Sequence, residues 1–309
     1  MTQNRPNRHN YYFRNWAIIL IGLVLALYLA KQFQQFSKRS ARIGAGEAQV
    51  TSDRSDTKRQ VDQESQIHAA ADFLPTSTTG VVIPHKGFVL SYSESYEQAE
   101  WVAYVLTKGM LTGSQARRND NFTADEAIRS YSATPEDYRG SGYDRGHLCP
   151  ASDMGYSESA MDETFLMSNI SPQVRNFNGG IWRELEENIK DWAKKYQKVY
   201  VVTGPILKNV LKRIGRYNKV AVPEAYYKVL LSGALNQSIA YVIPNQVSDQ
   251  RIEAYACSID EVEKQTNLDF FSHLLRPDQE REVEARYNSN YWPFSERRYQ
   301  QRLNEWNKR

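Results

Sequence analysis

The sequence predicts an α+β domain with a central, largely antiparallel sheet flanked by helices, preceded by an N-terminal transmembrane helix. Three observations carry this prediction. Short apolar runs typical of strands are spread over residues 86–244, one strongly amphipathic helix interrupts them, and a charge-free apolar stretch stands alone near the N-terminus. With 309 residues, the chain is long enough for one large domain or two small ones.

The apolar stretch follows a basic segment over residues 1–15. Trp16–Ala30 contains no charged residue but is shorter than the roughly 20 residues that a membrane span needs. Aromatic residues precede it, and Arg14 and Lys31 can extend their charged ends to the interface, so we expect a transmembrane anchor over residues 16–36. A cleaved signal peptide and a buried core helix are the alternatives. Both flanks are basic, so the positive-inside rule does not decide the orientation.

The chain after the anchor divides by composition into three parts. Residues 37–79 are polar and lack helical or strand periodicity, which predicts a flexible tether. Residues 80–275 carry the strand and helix patterns and are expected to form the folded domain. Residues 276–309 are rich in charge, which predicts a charged C-terminal tail, partly a solvated helix and partly frayed.

The positive charge is concentrated at the N-terminus. Residues 1–45 hold seven Lys or Arg and no Asp or Glu, which leaves 32 basic and 36 acidic residues in the rest of the chain. The folded domain is therefore not expected to coat nucleic acid through bulk charge. If its partner is a polyanion, a few local arginines must bind it.

The folded domain is predicted to contain five main strands and two clear helices. The strands are expected over 86–93, 99–107, 198–205, 226–232 and 238–244. The last two flank a short loop and predict a hairpin. A helix is expected over 179–197, where apolar residues recur every three or four positions. A second helix is expected to begin at Ser258, because Ser258 and Glu261 have the spacing of a capping box.

One histidine stands in the stretch "YDRGHLCPASDM", residues 143–154. Glycines around His147 allow the backbone to hold its side chain at an unusual angle. Asp144 can accept a hydrogen bond, and Arg145 can pair with a phosphate. Because imidazole titrates near neutrality, His147 can take a proton from water. The remaining histidines are predicted to be structural or incidental: His9, His68, His85 and His273.

Two oxygen-bearing side chains share a stripe of the predicted helix. Asn178 and Glu186 lie about 12 Å apart along a regular helix axis, so a hydrated magnesium ion suits them better than shared direct ligation. The alternative is that Asn178 caps the helix and Glu186 is solvated. Zinc is disfavoured, since His147, Cys149 and distant Cys257 complete no tetrahedral set. We expect two unpaired thiols, with Cys149 in a packing role.

Several motifs in order resemble one known family. They are "SGYDRGHLCPASDM", "SNISPQ" with an asparagine five residues after its glutamine, "W..LE" and "VYVVTGP". Over residues 80–275 the chain is similar to the DNA/RNA non-specific endonucleases. These form the DRGH-motif branch of the ββα-metal, or His-Me finger, nucleases, which include mitochondrial endonuclease G and secreted bacterial nucleases. The resemblance implies a ββα-metal nuclease domain.

The resemblance also implies roles for the base and the metal. His147 would be the general base, and Asn178 would be the single direct protein ligand of Mg²⁺, with Mn²⁺ as a substitute. Glu186 would hold the hydrated metal through water.

Three further side chains take roles from the same resemblance. Asn169 would support the site by hydrogen bonding, and Arg145 would place the phosphate or the motif loop. An upstream arginine of the family contacts the phosphate, and here Arg118 is favoured over Arg117.

These roles predict a metal-dependent endonuclease for DNA and RNA. The attacking oxygen comes from water, and the products carry 5′-phosphates and 3′-hydroxyls. Contacts centred on phosphate carry no base sequence, so little sequence specificity is expected. Two rival predictions are a membrane-tethered nucleic-acid-binding protein without catalysis and a phosphodiesterase for small substrates. The resemblance also allows a homodimer, as some relatives form.

The apolar segment and the predicted activity together bear on location. An indiscriminate nuclease facing its own chromosome would be hazardous, so we expect a membrane-anchored protein with its domain on the non-cytoplasmic side. That side is the periplasm if the source is bacterial. Secretion after signal-peptide cleavage, or the mitochondrial inner membrane in a eukaryote, are the alternatives.

Overall fold

A computed structural model of the chain describes residues 72–76, 78, 80–129, 132–207 and 212–308. The predicted anchor over 16–36 and nearly all of the predicted tether lie outside these residues. Within the described ranges, no helix is long and apolar enough to cross a membrane.

The core of the fold is a seven-stranded sheet in which every neighbouring pair is antiparallel. Its strands are β1 (Val81–Pro84), β2 (Phe88–Ser93), β3 (Gln98–Thr107), β6 (Lys198–Pro205), β9 (Ala225–Ser232), β10 (Ser238–Pro244) and β11 (Ala256–Cys257), in that spatial order. The α+β prediction with a central antiparallel sheet is confirmed. Strands occur at all five predicted positions, and β9 and β10 form the predicted hairpin.

Two small antiparallel sheets stand beside the large one. The first pairs β4 (Asp144–His147) with β5 (Ile170–Gln173), and the second pairs β7 (Arg213–Ile214) with β8 (Val220–Ala221). The DRGH motif occupies all of β4. The helix that carries Glu186 begins at Arg183, ten residues after the end of β5, so the β4–β5 pair is followed along the chain by this helix.

The described helices are mostly short. They are α1 (Lys108–Thr112), α2 (Pro135–Tyr138), α3 (Glu158–Glu163), α4 (Arg183–Tyr196), α5 (Ile259–Thr266), α6 (Pro277–Glu284) and α7 (Glu296–Asn304). The helix expected over 179–197 is regular only from Arg183. Before it, Phe177–Trp182 forms a wider π-type turn, because Gly180 leaves helical geometry at φ −106° and ψ −110°. Helix α5 begins after Ser258 with the expected capping box.

Helices cover both faces of the large sheet, because alternate residues of its strands point in opposite directions. On β3, Val102 and Tyr104 join the core that contains Leu185 of α4. Trp101 and Ala103, which alternate with them along β3, join the core that contains Val262 of α5. Both sides of the central strands are therefore buried, and α4 and α5 cover opposite sides through their buried apolar residues.

The C-terminal region has an exposed surface but is anchored to the domain by buried side chains, which differs from the partly frayed tail expected over residues 276–309. Trp292 is 0% and Trp306 is 4% exposed. Arg302 of α7 is also fully buried, and its Nε donates to Glu184 Oε2 of α4 at 2.5 Å. Its other nitrogens donate to backbone carbonyls of the 248–250 loop. Because this segment is rich in charged residues, the sequence did not predict its buried aromatic residues and its buried ion pair.

Candidate active site

The β4–β5 pair positions His147. Gly140 and Gly142, with φ of +66° and +84°, turn the chain into β4. Gly146 must be a glycine, because a Cβ there would lie 2.1 Å from the side chain of Gln173. Two turns that favour glycine and one close approach therefore present His147 at the end of β4.

His147 lies against two aromatic rings, each of which also contacts an arginine. Its ring centroid is 5.6 Å from that of Phe122 and 5.0 Å from that of Phe165. Arg145 stacks over Phe122 at 4.1 Å, and Arg118 lies 5.2 Å from the Phe165 ring centroid. The structure thus brings Arg118 close to Arg145 and His147 of the DRGH strand.

This environment keeps the imidazole uncharged. Burial, and then the charges of Arg118 and Arg145, lower the pKa of His147 to about 3, while Asp120 opposes them. Nε2 of His147 is buried and has no hydrogen-bond partner in the described part of the chain. A neutral imidazole with an unengaged nitrogen can accept a proton, which is what a general base requires.

Asn169 holds the segment that follows His147. Its Oδ1 accepts from the Cys149 amide at 2.9 Å, and its Nδ2 donates to the Cys149 carbonyl at 3.0 Å and the Thr164 carbonyl at 2.8 Å. Its backbone carbonyl accepts from the Leu148 amide. Because Asn169 is fully buried, these bonds fix the backbone next to the candidate base.

Both cysteines are free thiols. Cys149 is fully buried in the core, and burial raises the pKa of its thiol. Cys257 is half-buried on β11. The structure therefore places Cys149 as a packing residue.

Asn178 is oriented by the first residue of β4. Its Nδ2 donates to Asp144 Oδ2 at 3.3 Å, and Asp144 Oδ1 accepts from Arg175 at 3.3 Å. No described residue donates to Asn178 Oδ1, so this oxygen is available to a cation. The helix-capping alternative does not match these contacts. Because Gly180 breaks the helix start, the 12 Å spacing expected for a regular helix does not apply.

Glu186 is mostly buried rather than solvated, since its side chain is 17% exposed. Its Oε1 lies 3.9 Å from Nζ of Lys228. Burial raises the pKa of Glu186, Lys228 opposes that rise, and nearby Asp153 adds to it. An amide oxygen on Asn178 and a carboxylate on Glu186 are the hard ligands that Mg²⁺ prefers, so these residues fit the ion.

Strand β4 connects the two sides of the site. At its beginning, Asp144 bonds to Asn178. Immediately after its end, the Leu148 carbonyl accepts from Lys228, which faces Glu186. The residues proposed to hold metal are therefore tied to the strand that carries the candidate base.

Sequence reasoning missed Lys228 and the two rings beside His147. Lys228 interrupts the apolar run "YYKVLLS", and a lysine within a buried strand is a signal that a partner must exist. Phe122 and Phe165 left no such signal, because an isolated phenylalanine is normally a core residue. Between the two upstream arginines, Arg118 rather than Arg117 contacts the Phe165 ring.

His85, predicted to be structural or incidental, is a buried structural residue of this region. Its Nε2 lies 3.2 Å from Asp125 and its Nδ1 3.6 Å from Glu163. Burial opposes protonation, but the hydrogen bonds and charges of both carboxylates outweigh it and raise the pKa of His85 to about 9. Asp125 also accepts from Ser168, the residue before Asn169. The pair is therefore a structural support.

Comparison with known proteins identifies relatives. Residues 68–276 match the family described as DNA/RNA non-specific endonuclease. The chain is 37% identical over 206 residues to mitochondrial Endonuclease G of Homo sapiens, covering 62% of this chain and 69% of that protein. It is 34% identical over 235 residues to a nuclease of Syncephalastrum racemosum, covering 67% and 73%.

A solved structure is also similar. It is described as the crystal structure of the EndoG/EndoGI complex and the mechanism of EndoG inhibition. The similarity has a TM-score of 0.61 at 33% identity, over 69% of this chain and 93% of that chain.

Proposed function

This chain belongs to the DNA/RNA non-specific endonuclease family and is therefore a hydrolase, and we propose the residues and products of its reaction. It cleaves phosphodiester bonds of DNA and RNA with little sequence specificity and leaves 5′-phosphate ends. His147 is the general base, and Mg²⁺ is held by Asn178. The unengaged, buried Nε2 of His147 beside two arginines is the observation that carries this proposal.

His147, the two arginines and Asn169 have different roles in hydrolysis. Neutral His147 takes a proton from water, and the resulting hydroxide attacks phosphorus in line with the leaving oxygen. Arg118 and Arg145 lie beside the base and stabilise the negative charge that grows on the phosphate. Asn169 holds the backbone after His147, so the base keeps its position during the reaction.

The metal site is built from Asn178 and Glu186. Asp144 fixes the amide of Asn178 through its nitrogen, which leaves the oxygen for the ion. Glu186 acts through metal-bound water, and Mn²⁺ is a substitute for Mg²⁺. When bound, the ion supplies charge neutralisation at a phosphate oxygen.

The same arrangement explains a broad substrate range. The arginines and the metal held by its ligands act on the phosphate, which is common to all nucleotides. Since water is the nucleophile, a 2′-hydroxyl is not needed, and both DNA and RNA can be cleaved.

We further propose that residues 16–36 anchor the protein in a membrane and that the nuclease domain, residues 80–275 together with the C-terminal segment packed on it, lies on its non-cytoplasmic side. The relatives described as mitochondrial support a mitochondrial location in a eukaryotic source, where we propose the inner membrane. A homodimer remains a prediction.

The decisive experiment is a nuclease assay on the full-length protein with plasmid DNA and with RNA. The wild type should cleave both in Mg²⁺ and stop when a chelator is added. His147→Ala should lose about 10²- to 10⁴-fold in kcat, since general-base catalysis contributes that much. His273→Ala, which changes an exposed histidine outside the candidate site, should retain wild-type activity.

Other outcomes would favour the rivals. Full activity in the His147 variant would exclude it as the base. Tight binding without cleavage in any divalent metal would favour a non-catalytic nucleic-acid-binding protein. Faster turnover of bis-p-nitrophenyl phosphate than of plasmid would favour a small-substrate phosphodiesterase.

A further inference from the structure

Lys228 is a buried lysine in the middle of the large sheet. It lies on β9, a strand whose other residues are mostly apolar, and it is 0% exposed. Burying an ammonium group costs several kcal/mol unless charges and hydrogen bonds compensate. Its neighbours on the same face, Tyr226 and Leu230, join the core beneath α4, so Lys228 points toward the helix that carries Glu186.

The ammonium group contacts four residues from separate parts of the chain. Nζ donates to the Leu148 carbonyl at 3.4 Å and to Thr203 Oγ1 at 3.3 Å. It lies 3.9 Å from Glu186 Oε1 and 4.5 Å from the Trp182 ring centroid. With two protons donated, the third is available to the carboxylate.

These contacts place one charge between the two halves of the active site. Leu148 directly follows His147, while Glu186 lies on α4. Lys228 lies on the central sheet. Its ammonium group donates to the Leu148 carbonyl and faces the carboxylate of Glu186. A neutral side chain of similar length would lack the charge that attracts Glu186.

We propose that Lys228 is a positioning residue, which sets Glu186 relative to the His147 segment so that the hydrated metal is held opposite the base. This inference rests on the proposed function. Lys228 itself touches neither water nor phosphate in this scheme, and acts through the carboxylate and the Leu148 carbonyl.

A second lysine provides a matched comparison. Lys190 of α4 lies 2.9 Å from Glu187 and 4.0 Å from Asp153, in the same carboxylate cluster. Its described hydrogen bond goes to Glu187, on its own helix. Replacing either lysine removes one positive charge near Glu186, but only the Lys228 replacement removes the link to the His147 segment.

The test is Mn²⁺ binding to the full-length protein without substrate, followed by electron paramagnetic resonance. Lys228→Met should bind Mn²⁺ about 10- to 100-fold more weakly, as removal of residues that orient metal ligands commonly does. Its kcat/KM should fall at low Mg²⁺ and recover partly at high Mg²⁺. Lys190→Met should show a clearly smaller loss of affinity. Wild-type affinity in Lys228→Met, or an equal loss in both variants, would overturn the proposal.

A double-mutant cycle tests the route through Glu186. In a Glu186→Gln background, Lys228→Met should weaken Mn²⁺ binding little further, since the partner is already gone. Additive losses would contradict the proposal. If Lys228→Met shows no cooperative thermal unfolding, the Thr203→Val variant is tested in its place. Thr203→Val removes one hydrogen-bond acceptor of the Lys228 ammonium group and keeps the charge of Lys228. Weaker Mn²⁺ binding in Thr203→Val then supports the proposal, and unchanged binding contradicts it.

Different results would contradict the proposed function and the role proposed for Lys228. A wild-type protein without metal-dependent cleavage would remove the proposed function. A wild-type protein that cleaves normally, with unchanged metal affinity in Lys228→Met, would remove only this inference.

Discussion

The two arginines beside His147 have a second consequence besides phosphate binding. After burial, the charges of Arg118 and Arg145 are what lower the pKa of His147. A bound phosphate would offset those charges, so the pKa of His147 should rise when substrate binds. The free enzyme then keeps its base unprotonated, and the base strengthens when the substrate is in place.

This effect predicts a specific pH dependence. Because the pKa of His147 in the free enzyme is lowered, the imidazole is protonated only well below pH 6.5. The acid limb of the kcat/KM profile should therefore lie well below pH 6.5. The acid limb of kcat, which reports the substrate complex, should lie at higher pH. Arg118→Gln should move the kcat/KM limb upward. Steady-state rates on a short oligonucleotide between about pH 2.5 and 9 would measure this, and coincident limbs near pH 6.5 would contradict it.

At the scale of secondary-structure elements, one buried ion pair joins α7 to α4. Arg302 and Glu184 are both nearly inaccessible, and the guanidinium also satisfies two backbone carbonyls. Since α4 begins at Arg183 and carries Glu186, the C-terminal helix supports the helix of the candidate metal site. This support was hidden in a segment whose charge suggested exposure.

Breaking that pair should be costly. Arg302→Met leaves the Glu184 carboxylate buried without its partner, so the free energy of unfolding should fall by about 3–5 kcal/mol. Arg302→Met with Glu184→Leu should recover much of this, because no lone charge remains. Urea denaturation would measure both. Arg286→Met, at an exposed pair, should change stability by about 1 kcal/mol or less, and an equally small effect of Arg302→Met would show that the pair contributes little.

At the scale of the whole molecule, charge is divided between the N-terminal segment and the rest of the chain. The seven basic residues among the first 45 surround the apolar stretch, whereas the remainder carries slightly more acid than base. The positive charge of the chain therefore suits contact with an anionic membrane surface, while nucleic acid must be attracted by the local arginines of the site.

This division predicts membrane association through the N-terminus. The full-length protein should pellet with membranes and resist extraction by high salt, and deletion of residues 16–36 should release it. Added protease should cleave the domain in intact spheroplasts, or in mitoplasts for a mitochondrial protein, because the proposed orientation places the domain on the non-cytoplasmic side. Protection in those preparations would reverse the orientation, and solubility of the intact protein would exclude the anchor.

The sequence by itself determined the features that depend on neighbours along the chain. Alternating or continuous apolar runs located the strands at 198–205, 226–232 and 238–244, and the Ser258–Glu261 spacing located a helix start. The DRGH stretch identified His147 as the candidate base. These features are local because a strand's apolar pattern, a helix cap and a glycine-rich turn each form within a few residues.

Only the tertiary structure decided which distant groups meet. Lys228 and Leu148 are 80 residues apart, and Arg302 and Glu184 are 118 apart. Nothing in the local pattern of a lysine or an arginine states which carboxylate will compensate its charge. The pairing of these charges is decided when the helices on both faces pack against the sheet. Because an unpaired buried charge is costly, only those packings are stable in which each buried charge meets an opposite charge.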